Sequence, residues 1–327
     1  MRTAFKRLSV AAACLSGAFA LSATTVPAQA WEPQKPVEFV IMAGQGGGAD
    51  KLARFIQSIV EKNKLAKVPL IPINKGGGSG AEALRYLKDK KGDPHVIMAT
   101  LNSYYTTPLR NPGMGVNIEE FTPVARLAED TFVLWVASDS PIKSVDDYVK
   151  AVKAKGNAWK MGGTGTGQED SLVTAMLEKA YGLKMTYVPF KGGGTVAKQL
   201  VGGHIDSTVN NPSEQLGFYQ AGKSRPLAAF TDERIEAFPD VPTFKELGHD
   251  LVYYMQRSVV GPPEMPADAQ QYYVDVFQKV NESEEWKKYT SEKALYRSWL
   301  TGKDLMDYFL AERDKHAELL KSMGEIQ

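Results

Sequence analysis

The stretch VEFVIMAGQGGGADKLARFI, from Val37 to Ile56, decides the fold class of this chain. Its beginning is apolar and predicts a buried strand, whereas the apolar residues from Leu52 onward recur with the period of a helix. The glycines between these two parts predict a tight turn, and Asp50 is placed as the N-cap of the helix. The stretch therefore predicts a strand, a glycine turn and a helix, which is the repeating unit of an α/β protein.

The same unit recurs in the next part of the chain. Residues 68–74 (VPLIPIN) predict a strand, residues 75–80 (KGGGSG) a turn, and the helical pattern resumes at Ala81. A third strand is predicted over 95–100 and leads into LNSYYTTPL, which we interpret as a loop. Strands that alternate with helices in this way predict a mostly parallel sheet with helices on its faces.

The alternation starts again in the middle of the chain. WKMGGTGTGQED, residues 159–170, predicts another strand and glycine turn, followed by a helix over 171–181. A strand over 185–190, a turn over 191–194 and a helix over 195–203 come next. A second run of such units predicts a second α/β domain.

Two extended segments predict where the chain passes between the domains. The first covers 125–137, and the second is YYMQRSVVGPPEMP, residues 253–266. The predicted domains are 31–127 plus 253–327, and 128–252. Helices are predicted over 267–281, 284–293 and 302–323. Two crossings form a hinge, so loops at the carboxyl ends of both sheets would face one another across a cleft, where open α/β sheets bind ligands.

Residues 1–30 have the pattern of a secretory signal. Basic residues precede the apolar run from Leu8 to Ala20, and the segment ends in Ala-Gln-Ala, which predicts cleavage after Ala30 and export to the periplasm. The run is too short for a membrane-spanning anchor, and no later segment is apolar enough to span, so no membrane insertion is expected. A lipid-bearing role for Cys14 is disfavoured because three alanines precede it without the usual leucine.

Composition excludes several classes of function. Cys14 is the only cysteine, so the mature chain would have no disulfides, thiolate metal sites or cysteine nucleophile. Loss of the signal removes three basic residues and no acids, which changes the net charge from +1 to about −2. This charge gives no reason to expect nucleic-acid binding.

Four glycine turns are the candidate site. They lie at 46–48, 76–80, 162–167 and 192–194, and each precedes a predicted helix. The start of a helix presents unpaired N–H groups and a partial positive charge, so such turns suit an anion. Four turns divided between two domains favour one shared anion site that needs neither a cofactor nor a metal.

A nucleotide phosphate is disfavoured as the anion. Gly44, Gly46 and Ala49 fit the relaxed dinucleotide-binding pattern after a strand. That pattern also requires an acidic residue at the end of the second strand, where this chain has Asn74 and Lys75.

Two further kinds of chemistry have weak support. Ser79 lies in a sequence that resembles the nucleophile elbow of esterases, with Asp206 and His249 following in a plausible order, but it is five residues past the strand. An exported serine esterase stays open as an alternative. The histidines lack the spacing of a zinc site and are interpreted as surface or packing residues. They are His95, His204, His249 and His316.

The motifs of the second half resemble those of a known family. MGGTGTGQEDSL, VPFKGGGTVAKQLVGGHID, AGKSRPLAAFTDER, PDVPTFKELG and GPPEMP, together with AGQGGGAD near the start, are similar to the substrate-binding components of tripartite tricarboxylate transporters. The resemblance implies a two-domain, type II-like periplasmic binding protein with a ligand cleft between its domains. It implies a monomer that catalyses no reaction, binds a dicarboxylate, tricarboxylate or aromatic carboxylate, and delivers it to membrane permease subunits driven by sodium or protons. A receptor that docks on a sensor kinase stays open.

The candidate ligand-binding residues follow from the turns and from the ends of the predicted strands. A carboxylate would accept N–H bonds from the turns and polar contacts from nearby side chains. The set is Gly46, Gly47, Gly48, Asp50, Gly78, Asn102, Ser103, Tyr104, Thr164, Thr166, Gly167, Gln168, Lys191, Gly192, Asn210, Asn211 and Arg257.

Some side chains near this set allow more than one interpretation. Glu214 would repel a carboxylate unless it points outward or receives a positive group of the ligand. Tyr104, Tyr105 and Phe190 could line an aromatic pocket or pack in the core. Arg257 could pair with the ligand or form a hinge salt bridge.

Overall fold

The strands of the chain form two separate β-sheets. The computed structural model describes residues 31–327, so the predicted signal sequence lies outside the described residues. The strands are β1 (Val37–Ile41), β2 (Leu70–Asn74), β3 (Val96–Thr100), β4 (Thr122–Asp130), β5 (Val133–Ala137), β6 (Lys160–Gly163), β7 (Thr186–Pro189), β8 (Ser207–Asn210), β9 (Ser224–Ala229), β10 (Met255–Gly261) and β11 (Tyr296–Thr301). One sheet has the order β11-β4-β10-β3-β1-β2, and the other has the order β7-β6-β8-β5-β9.

The helices connect these strands and cover the sheets. They are α1 (Gly48–Lys62), α2 (Ala81–Asp89), α3 (Ser103–Arg110), α4 (Val145–Lys155), α5 (Glu169–Tyr181), α6 (Gly193–Val201), α7 (Pro212–Gln220), α8 (Ala267–Glu282), α9 (Glu284–Glu292) and α10 (Gly302–Ser322). We call the six-stranded sheet with α1–α3 and α8–α10 lobe 1, and the five-stranded sheet with α4–α7 lobe 2. Residues 31–327 pack as one compact unit.

The predicted α/β class with two sheets is confirmed, but the prediction of mostly parallel sheets is wrong. Strands β2, β1 and β3 pair in parallel in lobe 1, whereas β10 pairs antiparallel with both β3 and β4, and β11 pairs antiparallel with β4. In lobe 2, β7, β6 and β8 are parallel, and β5 pairs antiparallel with both β8 and β9. The antiparallel strands include those that cross between lobes, which no helix separates and which the βα pattern therefore could not orient.

Both predicted crossings are present. The extended segment over 125–137 is divided into β4, which ends at Asp130 in lobe 1, and β5, which begins at Val133 in lobe 2. The chain returns between β9 and β10. The chain thus passes from one sheet to the other between residues 130 and 133, and back between residues 229 and 255. The domain limits after 127 and after 252 remain predictions of the sequence.

The core explains why these segments adopt their structures. Strand β3 is buried along its whole length because helices cover both faces of its sheet. The last helix buries Leu305, Phe309 and His316, so this side of α10 is a packing face. His316 Nε2 lies 3.1 Å from the Tyr253 hydroxyl, within the described core.

Three elements differ from the sequence prediction. LNSYYTTPL contains helix α3 rather than a loop, and α7 and the edge strand β11 were not predicted. Helix α1 begins at Gly48 with Gly47 as its N-cap, so Asp50 is not the cap. The Asp50 carboxylate lies in the first turn and accepts the Gly46 N–H at 2.9 Å. Among residues 31–327, none of the helices has the length and hydropathy needed to cross a membrane.

Candidate functional site

A cavity of about 630 Å³ lies where the loops of the two lobes meet. From lobe 1, the loops after β1 and β2 line it with residues 43–45 and 47–49 and with Asn74 and 76–79. From lobe 2, the loops after β6 and β7 contribute residues 164–165, 168–170 and 190–193. All four glycine turns singled out in the sequence therefore contribute residues to the wall of this one cavity.

The turn after β1 touches the turn after β7. A Cβ atom on Gly44 would lie 2.5 Å from the Lys191 carbonyl oxygen, and a Cβ on Gly194 would lie 2.7 Å from the Gly46 carbonyl oxygen. Because both obstacles are backbone atoms of the other lobe, only glycine permits this approach. The glycines thus allow the two lobes to come together over the cavity.

A second contact joins the turn after β2 to the turn after β6. The Ser79 hydroxyl donates to the Thr166 carbonyl oxygen at 3.1 Å, and Arg110 Nη1 donates to the same oxygen at 3.2 Å. Arg110 also pairs with Glu325 at 2.6 Å near the end of the chain. The cavity is thus enclosed on two sides by direct contacts between the lobes.

The candidate residues divide into two groups. The residues that line the cavity are Gly47, Gly48, Gly78, Thr164, Gln168, Lys191, Gly192, Asn211 and Arg257. The residues that lie outside its lining are Gly46, Asp50, Asn102, Ser103, Tyr104, Thr166, Gly167 and Asn210.

Asn102 and Tyr104 have structural partners. The Asn102 amide donates to the Tyr253 hydroxyl at 3.1 Å and to the Tyr254 carbonyl at 2.9 Å, and its oxygen accepts from the Gln256 N–H at 3.0 Å. Asn102 therefore ties the start of α3 to the returning chain at β10. Tyr104 is fully buried and donates to the Ile118 carbonyl oxygen at 3.0 Å.

Carboxylates of lobe 2 occupy the helix starts of lobe 1. Glu214 Oε1 accepts the Gly48 N–H at 2.6 Å, at the beginning of α1. Glu169 Oε1 accepts the Ser103 N–H at 2.6 Å and the Ser103 hydroxyl at 3.1 Å, at the beginning of α3. Each pair joins the lobes through a charge placed at the positive end of a helix.

Asp170 completes a set of three buried acids on the lobe 2 side of the cavity. Its Oδ2 accepts the Thr164 N–H at 2.8 Å, within the turn after β6. Burial, together with repulsion from Glu214, raises the pKa of Asp170 to about 8. Burial also raises the pKa of Glu214 to about 7, although Lys51 and the Gly48 N–H oppose this rise. The pKa of Glu169 is raised by burial as well.

Arg257 lines the cavity but already has a buried partner. Its Nε donates to Asp130 Oδ2 at 3.1 Å, and Nη2 forms a second short contact with the same oxygen. Asp130 ends β4 and Arg257 lies on β10, so the pair joins the two hinge strands. The hinge salt bridge is therefore present, and pairing of Arg257 with a ligand remains a prediction, although the residue also lines the cavity.

The sequence prediction missed the acids and several wall residues. Glu169, Asp170 and Gly193 line the cavity, as do Gln45 and Met255. The one available signal was the placement of acidic residues directly after glycine turns, in the first turn of a helix. Such residues stabilise the helix start themselves and can reach a neighbouring helix start.

Residues 52–324 match the profile of the tripartite tricarboxylate transporter family receptor. The chain belongs to this family. The family consists of periplasmic solute-binding receptors and not of enzymes.

Two curated relatives illustrate the similarity. A UPF0065 protein from the gbd 5' region of Cupriavidus necator is 25% identical over 97% of this chain and 96% of its own length. A UPF0065 protein from the TAR-I ttuE-ttuC' intergenic region of Agrobacterium vitis is 30% identical over 76% of this chain and 72% of its own length.

Solved structures share the fold. The periplasmic binding protein BugD has a TM-score of 0.84 at 20% identity, covering 90% of this chain and 99% of that one. R. palustris Rpa4515 with adipate has a TM-score of 0.82 at 23% identity, and the match covers 89% of this chain and 98% of that one. MatC from Rhodopseudomonas palustris with bound malate has a TM-score of 0.78 at 19% identity, and the match covers 88% of this chain and 99% of that one. The fold is therefore that of a periplasmic binding protein.

The residues considered for esterase chemistry lie apart from one another. Ser79 donates across the cleft, Asp206 accepts from Lys155 at 2.7 Å, and the His249 ring packs 4.1 Å from that of Tyr181. The esterase alternative is therefore wrong. In the part of the chain that the structure describes, no group of three metal-ligating side chains is placed to hold an ion.

Proposed function

We propose that this protein captures a small organic carboxylate between its lobes and delivers it to the membrane permease subunits of a tripartite tricarboxylate-type transporter. The observation that carries the proposal is the cavity itself, which is enclosed by glycine turns from both lobes. Its volume of about 630 Å³ lies within the range of small-molecule sites. The ligand is a dicarboxylate, a tricarboxylate or an aromatic carboxylate.

The turn after β7 is the part of the wall best suited to the carboxylate. Gly192 is the N-cap of α6, so the Gly193 N–H at the start of this helix has no intrahelical acceptor. Lys191 lies beside it on the cavity wall, and Asn211 follows the neighbouring strand β8. Hydrogen bonds to a charged group contribute about 1.5–3 kcal/mol each, so a few of them support the roughly 8 kcal/mol of micromolar binding.

Two proteins of the same fold were solved with ligands of this class. Rpa4515 was solved with adipate and MatC with malate, and both ligands are dicarboxylates. These structures support a carboxylate as the ligand of the present cavity. They also supply the first probes for a binding screen.

The setting of this function follows from the sequence. The protein acts in the periplasm as a monomer, after cleavage of the signal sequence behind Ala30. The permease recognises the closed form, because only closure changes the outer surface when the ligand binds.

A matched pair of glycine variants tests capture between the lobes. Gly194→Ala places a Cβ 2.7 Å from the Gly46 carbonyl oxygen of the other lobe, whereas a Cβ on Gly217 meets nothing within 4 Å. Both glycines lie in helices of lobe 2, so each substitution introduces a better helix former. We expect Gly194→Ala to weaken carboxylate binding by about 1–3 kcal/mol, the usual cost of overpacking, and Gly217→Ala to bind normally.

Isothermal titration calorimetry with adipate, malate, citrate and benzoate provides the measurement, after a thermal-shift screen has identified which of them binds. Equal affinities of the two variants for that carboxylate would contradict capture by closure. Absence of binding by any carboxylate, with the protein folded, would contradict the ligand class.

A further inference from the structure

Glu214 occupies the position in which a ligand carboxylate would otherwise be expected. Its Oε1 accepts the Gly48 N–H at 2.6 Å, and the side chain is 8% exposed. A Cβ on Gly193 would overlap its Oε2, and a Cβ on Gly47 would lie 3.5 Å from its Oε1. The carboxylate is therefore held between glycine turns of both lobes and does not point outward.

The starts of α1 and α3 are consequently unavailable to the ligand. Glu214 takes the start of α1, and Glu169 takes the start of α3 through two hydrogen bonds from Ser103. Of the remaining turns, the one at Lys191 and the start of α6 offers a cation and a helix N–H together. The three acids of the wall also belong to lobe 2, and Glu214 lies against Gly193 of this turn.

The charges of the wall do not balance for a purely anionic ligand. The lining cations are Lys191 and Arg257, and Arg257 is already paired with the buried Asp130. Glu169, Asp170 and Glu214 line the same cavity, and no salt bridge neutralises any of them within residues 31–327. A second ligand carboxylate placed beside these acids would be repelled by each of them that is ionised, and would raise their pKa values further.

We propose that Glu214 determines the specificity of the cleft, and that the ligand carries a cationic nitrogen in addition to its carboxylate. The carboxylate binds at Lys191 and the start of α6, and the cation binds at Glu214. This inference rests on the proposed function, because it concerns the same cavity, and it narrows the ligand to amphoteric carboxylates such as amino acids.

The electrostatic surroundings of Glu214 make its charge sensitive to the ligand. Burial raises its pKa to about 7, so in the empty cleft it is only partly ionised at neutral pH. A cation beside it favours the ionised form and adds a charge-assisted hydrogen bond. The charged groups that face Glu214 are Lys51 of α1, Asp130 of β4, Arg257 of β10 and Asp170 of α5.

Matched ligand pairs test the inference. Succinate and aspartate, and glutarate and glutamate, differ within each pair only by an amino group. We expect the wild-type protein to bind the amino member of at least one pair about tenfold or more tightly than its partner, in calorimetry at about pH 7.5. Between about pH 6 and pH 8 that affinity rises, because Glu214 becomes ionised.

The substitution Glu214→Gln should reduce the preference to less than about threefold, mainly by weakening binding of the amino member. Glu178→Gln is the matched control, because Glu178 also accepts a backbone N–H at 2.6 Å, from Met185, but does not line the cavity. The control should keep the wild-type preference. Thermal unfolding verifies that both variants are folded.

The outcomes separate this inference from the proposed function. If carboxylates bind but the amino members have no advantage, or if Glu214→Gln keeps the full preference, the inference is overturned while the proposed function stands. If no carboxylate of either kind binds to the folded protein, both are overturned.

Discussion

At the scale of single residues, the pair formed by Arg257 and Asp130 makes stability depend on two buried charges. Arg257 is 3% exposed and Asp130 is 1% exposed, so neither charge is solvated. Burial raises the pKa of Asp130, and Arg257 opposes this rise, as does the hydrogen bond from the Thr131 N–H. The pair stabilises the hinge strands only while both partners are present.

Removal of one partner should therefore be costly. We expect Arg257→Met to lower the free energy of unfolding by about 3–5 kcal/mol, because it leaves the buried Asp130 carboxylate without an opposite charge. The double variant Asp130→Asn, Arg257→Met should recover most of that loss. Urea unfolding of the ligand-free protein gives both values. A single variant within about 1 kcal/mol of the wild type would show that the pair is not a buried structural contact.

The sequence predicted the residues of the cavity unevenly, for a physical reason. Glycines such as Gly47 and Gly192 could be found because a turn between a strand and a helix restricts the residue type at that position. The role of Glu169 could not be found, because its partner Ser103 is 66 residues away and belongs to the other lobe. A contact between lobes depends on how they pack, and no local pattern records that.

At the scale of elements, the helices and strands with a clear local sequence pattern were predicted, and those without one were missed. Amphipathic helices such as α8 and α10 were located to within a few residues, because one face of each is buried. Helix α3 was missed because it is short and contains Pro108. Strand β11 was missed because it is an edge strand whose residues are only partly buried.

Helix α4 offers a direct test of a capping interaction. Ser144 is its N-cap, and its hydroxyl oxygen accepts the Asp147 N–H at 3.1 Å. We expect Ser144→Ala to destabilise the protein by about 1 kcal/mol, whereas Ser144→Asp, which retains a capping oxygen, should be close to the wild type. Denaturant unfolding compares the two, and equal stabilities would show that the cap contributes nothing.

At the scale of the whole molecule, the lobes are held together by groups whose charge depends on pH. Glu214 joins lobe 2 to lobe 1 directly, and Asp170 lies behind it in the same wall. The ordinary pKa values of these acids are 4.5 and 3.8, and burial raises them to about 7 and about 8. Between the ordinary and the raised pKa values, the folded protein therefore keeps protons on these two acids that the unfolded chain has already released.

The sign of the pH dependence follows from these shifts. Where the folded state binds more protons than the unfolded state, stability falls as the pH rises. The contribution of Glu214 and Asp170 is thus full below their ordinary pKa values and is lost as the pH rises through about 7 and about 8. His316 acts in the opposite sense only below its ordinary pKa of 6.5, because burial lowers its pKa.

We therefore expect the melting temperature of the ligand-free protein to decrease between about pH 6.5 and about pH 8.5. Scanning calorimetry at constant ionic strength measures the decrease. The double variant Glu214→Gln, Asp170→Asn removes both titrating groups and keeps their shapes, so its melting temperature should change less over the same range. Equal slopes for the two proteins would mean that these acids are exposed to solvent in the ligand-free state, and hence that the lobes stand apart until a ligand draws them together.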